Sequence, residues 1–250
     1  MSDQSPSDAD VAAVSAPPAK PASWWEDYID IFYAPSQVFA RRMQSGFGVP
    51  MLVVTVLIGA IFLANSGAMQ SIMDAEFTRS TAAMLKKNPQ VTAEQLQMGR
   101  SFGEKIAKVG AFVFVPLTIF LVGLILWVVG KFFDAKQTLG AAIMVAAYSY
   151  IPKVVGSVVV GIQLLLMDPA SLNSQYRINL GPARFFDPDT TSPALLALLG
   201  RADVFTIWVT VLLGIGLAVT GKIPRSKAMI AAVIVWLIGA LPTVYPATLQ

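Results

Sequence analysis

A chain of 250 residues that is 55% hydrophobic and only 13% charged holds about half the charge of an ordinary soluble domain, and its apolar residues gather in long runs rather than amphipathic stripes. The net charge of +3 is mild and lacks the dense basic, aromatic-rich patch that nucleic acid would require; it suits the loops of a membrane protein. Absence of cysteine and histidine removes disulfides, thiol nucleophiles, Cys/His zinc sites, histidine-ligated haem and the commonest general base. No cofactor and no enzymatic chemistry is expected.

Residues 1–22, rich in Ser, Asp, Ala and Pro, read as a disordered tail without the apolar core of a signal peptide. The membrane domain is expected to fill 23–250. In the run SWWEDYIDIFY from Ser23, Ser23 can cap a helix. Trp24, Trp25, Tyr28, Ile29 and Phe32 then fall on one face, and Glu26, Asp27 and Asp30 on the other. Pro35 suits the first turn of a second helix that carries Arg41 and Arg42. Aromatics and arginines ahead of an apolar run predict amphipathic helices at the membrane interface.

The remaining pattern is all-α and polytopic, with crossings near 49–68, 109–133, 139–167, 203–220 and 228–245. Between the first two lies a polar insertion, 69–108, predicted to be helical because forty structureless residues would be unusual. Asn88-Pro89 interrupts it, and Thr92 to Gln95 reads as a capping box. The phase from there runs unbroken into the second crossing, predicting one helix of roughly 60 Å at 1.5 Å per residue. Gly99, Gly103, Ala107 and Ala111 recur every four residues, a spacing that permits close approach by the 69–87 segment. The second insertion, 167–201, carries four prolines and predicts turns with a short helix at 192–200. Basic residues in the short turns, Lys131, Lys136, Lys222, Arg225 and Lys227, predict the N-terminus inside and the C-terminus outside.

The third crossing differs from the others, with Pro152 near its middle and Lys153 directly behind. An ionisable group there costs about 2.5–3.5 kcal/mol on insertion scales, so a partner or a wet cavity is expected. Pro152 leaves a backbone acceptor unmet one turn back, which a lysine can satisfy. Tyr148, Tyr150 and Gln163 on the same crossing, and Asn65 on the first, complete a candidate intramembrane polar site; each also serves as interhelical glue. Asp203 reads as the cap of the fourth crossing. Trp208 and Trp236 read as lipid or packing anchors. The acids Glu94, Glu104, Asp187 and Asp189 are not grouped for metal or glycosidase chemistry.

FYAPSQVF from Phe32, GAAIMVAAYSYIP from Gly140, DVFTIW from Asp203 and SKA from Ser226 together resemble the Yip family of Ypt/Rab-interacting membrane proteins, in its bacterial form. The likeness runs from about Trp24 to Leu241, weakest over the two insertions. It implies an integral membrane domain with a cytosolic N-terminus and no known catalysis, in a bacterial inner membrane. Rab partners of eukaryotic relatives do not carry over, since no residues map to such a contact. Two functions follow as expectations. One is a scaffold or adaptor that meets the lipid bilayer and binds a protein partner, or a second copy of itself, or organises lipid. The alternative is a small permease or channel-like carrier built around the broken helix and Lys153.

Overall fold

The computed structural model describes residues 23 and 25–248; the tail 1–22 and the placement of Trp24 lie outside the described residues. The chain forms ten α-helices there and no strand: α1 (Asp27–Asp30), α2 (Pro35–Arg42), α3 (Gly48–Asn65), α4 (Gln70–Lys87), α5 (Ala93–Phe132), α6 (Leu139–Ser149), α7 (Ile151–Leu166), α8 (Pro193–Arg201), α9 (Val204–Gly221) and α10 (Arg225–Ala247). Five spans, with α6 and α7 counted as one, are long and apolar enough to cross a membrane.

The centre of the bundle is α6. It packs against α3, α5 and α9, and every residue from Ala141 to Ser149 is buried. Four of those residues are alanine, so neighbouring backbones come close. At the tightest crossing, a Cβ added to Gly123 of α5 would lie 2.6 Å from Ile143 Cα, a contact only glycine avoids. At the turn end, the two short connections are tied together. The Lys136 N–H donates to Gly221 O at 2.9 Å, and the Thr220 hydroxyl donates to Gln137 Oε1 at 2.8 Å.

The break falls at Tyr150, which separates α6 from α7. Pro152 sits in the first turn of α7, where its missing N–H is tolerated. The helix restarts with the Lys153 N–H donating to Tyr150 O at 2.9 Å. The adjoining Ser149 hydroxyl is buried without a hydrogen-bond partner. The lysine side chain does not turn back to freed carbonyls; it reaches across to α9.

The N-terminal segment departs from its periodicity. Helix α1 is a single turn, and Asp27, assigned to the polar outer face, is fully buried beside Ile31. Trp25 and Ile29, by contrast, are about half exposed (52% and 47%). The cause is tertiary: α2 folds back so that Arg41 Nε donates to Asp27 Oδ1 at 2.6 Å and Arg42 Nε donates to Asp27 Oδ2. Arg41 also holds Asp30. Of the apolar face, Trp25 and Ile29 point outward while Tyr28 and Phe32 pack against the core. Phe32 meets Trp208 edge to face, 5.3 Å between centroids, and α2 packs along α9.

Helix α5 runs unbroken for 40 residues from a complete capping box, Thr92 with Gln95. Its glycine stripe is not used as predicted. Space above Gly99 and Gly103 is open, and Arg100 bridges to α4 by pairing with Asp74 and covering the Phe77 ring at 5.3 Å. In the second insertion, three single 3-10 turns precede α8, which Ser192 caps.

Candidate functional site

Two polar centres hang on the third span, one on each side of its break. On the α7 side, Lys153 Nζ donates to Thr206 Oγ1 at 2.6 Å and lies 3.4 Å from Asp203 Oδ1. Asp203 caps α9: its Oδ1 accepts from the N–H groups of Phe205 at 3.0 Å and Thr206 at 3.2 Å. Its Oδ2 accepts from the Leu180 N–H at 3.1 Å. Four donors converge on this carboxylate, three on Oδ1 and one on Oδ2, and the same group joins α7, α9 and the second insertion. Ser157 adds a hydroxyl bond to Lys153 O at 2.9 Å.

Beside this cluster a cavity of about 490 Å3 opens among α3, α5, α7 and α9. Ile58, Phe62, Phe114 and Leu164 make it largely apolar, while Lys153, Tyr150 and Asn65 mark polar points on its wall. Its volume lies within the range of small-molecule pockets. Among the described residues no group of three His, Cys, Asp or Glu side chains could hold a metal.

The second centre belongs to Tyr148 at the end of α6. Its hydroxyl donates to Asp27 Oδ2 at 3.4 Å, and its ring lies 5.9 Å from that of Tyr28. Burial first, and then the Asp27 carboxylate, push the Tyr28 hydroxyl above its ordinary value.

The six residues proposed as one intramembrane site thus divide. Lys153, Tyr150 and Asn65 share the cavity, although Asn65 Nδ2 donates to Ile61 O of its own helix at 2.8 Å. Tyr148 faces the other way. Gln163 donates to Ile178 O at 3.3 Å, tying α7 to the second insertion, and Pro152 is buried and shapes the backbone. Asp203, which the sequence marks as a cap, also forms an ion pair with Lys153. Thr206 and Asp27 were missed. Trp236 donates from Nε1 to Arg201 O at 3.2 Å, and so anchors α8 to α10.

A bundle of this kind, five apolar spans tied by a few polar groups, is an all-α integral membrane protein in contact with the lipid bilayer. The sequence profile of the Yip1 domain matches residues 29–245, and the chain belongs to that family. Searches of curated proteins and of solved structures each return no match.

Proposed function

We propose that the protein works without catalysis, as a membrane scaffold or adaptor that holds a protein partner or organises lipid. The observation that carries this reading is the Asp203 carboxylate, on which four donors from three parts of the chain converge. Lys153 serves as an interhelical tie, its Nζ engaged by both Asp203 and Thr206. The Asp27 clamp and the outward-facing Trp25 and Ile29 support an N-terminal collar pressed toward the lipid. Short basic turns at one end and longer mixed insertions at the other support an N-terminus inside and a C-terminus outside, in a bacterial inner membrane as the family likeness implies.

The test is purification from membranes after in-cell crosslinking, in parallel with reconstitution into liposomes. A partner, a second copy or altered vesicle shape is the expected result. Absence of all three, together with solute flux, would overturn the reading. The cavity beside Lys153 favours a second reading, a small carrier that uses the broken helix. Under it Lys153→Met abolishes flux; under the scaffold reading no flux exists to abolish.

A further inference from the structure

A larger cavity, about 810 Å3, opens at the insertion end, where α4, the 3-10 turns, α8 and the end of α10 converge. Met84, Leu196 and Pro246 give it apolar surface; Arg79, Asn179 and Arg201 give it polar surface. Each of those three polar residues carries a buried atom without a hydrogen-bond partner: Arg79 Nη1, Asn179 Oδ1 and Arg201 Nε. Such orphans are few in folded proteins and each needs a cause.

Arg79 has its charge answered, with Nε donating to Asp189 Oδ1 at 2.7 Å and Nη1 lying 3.6 Å from Glu76. Arg201 does not. Its Nη2 donates to Trp236 O at 3.3 Å, and it pairs with no carboxylate among the described residues. Burial accordingly holds its guanidinium below the usual value. Asp203, two positions on, is already engaged by Lys153 and three backbone N–H groups. A half-buried cation without an anion destabilises the fold that contains it, and a bound anion would remove that penalty.

We propose that this cleft binds a phosphodiester carrying its own hydrogen-bond donor, the chemistry of a phosphoglycerol headgroup. Arg201 would take a phosphate oxygen, and the partly exposed Glu76 carboxylate would accept from a headgroup hydroxyl. A guanidinium fork matches phosphate geometry. Glu76 in the same wall disfavours a dianion and favours a singly charged ester with a donor. Met84, Leu196 and Pro246 suit the glycerol backbone and first methylenes of a lipid. The inference gives a chemistry to lipid organisation without depending on it: vesicle reshaping or partner capture can fail while the binding below succeeds, and the reverse.

The full chain in detergent is titrated with dihexanoyl phosphatidylglycerol, dihexanoyl phosphatidylcholine and the soluble diester glycerophosphoglycerol, read by thermal shift and native mass spectrometry. Saturable binding of the phosphatidylglycerol is expected, at least tenfold weaker in Arg201→Gln and intermediate in Arg201→Lys. Glycerophosphoglycerol binding equally well assigns the site to a soluble ester; its failure assigns the site to lipid. Should Arg201→Gln not fold, Thr243→Met on the α10 wall fills the cleft with Arg201 intact and is expected to abolish binding. No binding of either glycerol ester, equal binding of the choline lipid, or unchanged affinity in the folded variants overturns the proposal.

Discussion

Asp27 and Asp203 are both nearly enclosed, both answer basic side chains, and both touch the broken third span; yet they are built differently. Asp27 takes two arginines and a tyrosine hydroxyl, all side chains, and has no exposure at all. Asp203 takes one lysine and three backbone N–H groups, and its side chain keeps 13% exposure. The first depends on charge for its cohesion. The second depends mainly on a helix terminus whose unsatisfied N–H groups need an acceptor whatever the lysine does. One therefore fixes a peripheral element to the core through ions, whereas the other fixes core elements to each other through the backbone.

That contrast predicts where a single change does most damage. Asp27→Asn leaves Arg41 and Arg42 facing each other over a buried amide. Removing one partner from a buried ionic group costs about 3–5 kcal/mol, and since both arginines keep roughly a quarter of their exposure the lower end is expected. Denaturant unfolding in detergent micelles should show a loss of about 3 kcal/mol, with proteolysis opening first before Gly48. A variant as stable as the parent would mean that the clamp is not what seats α1 and α2.

The Asp203 centre should respond in steps. Asp203→Ala removes the cap and the lysine's partner and is expected to cost about 2 kcal/mol. Asp203→Asn keeps a good capping group and should cost about half that. Lys153→Met is expected to stay within about 1 kcal/mol of the parent, because the apolar wall of the neighbouring cavity accepts a thioether and Asp203 retains its three N–H donors. If Lys153→Met proved as damaging as Asp203→Ala, the lysine rather than the helix terminus would be the main contributor and the contrast with Asp27 would collapse.

The same comparison explains what the sequence could tell. Hydropathy runs and local capping are short-range signals: Thr92 with Gln95, Ser192 before α8 and Asp203 before α9 sit within three residues of what they cap. The five apolar spans and the proline break are legible for that reason. Ion pairs are not local. Asp27 was placed on an outer face because helical periodicity knows nothing of arginines 14 and 15 residues away, or of a tyrosine 121 away. Lys153 was marked as needing a partner, yet Asp203 is 50 residues along the chain. Spacing alone also does not decide what Gly99 and Gly103 meet: no atom lies against either, and Arg100 makes the bridge to α4.

A third acid marks the weak end of the series. Asp189 in the second insertion pairs with Arg79 of α4 at 2.7 Å, but 61% of its side chain is exposed. The hydrogen bond from Arg79 holds the Asp189 carboxyl below its ordinary value. A carboxyl whose value is depressed by folding adds stability above its unfolded value, and that stability is lost as pH falls through the folded one. Asp189→Asn is therefore expected to change stability little at neutral pH and to make the acid limb of a stability–pH profile slightly shallower, an effect that moderate salt should erase because exposed pairs are screened. A large loss at neutral pH that survives high salt would place Asp189 with Asp27, as a buried clamp rather than a surface contact.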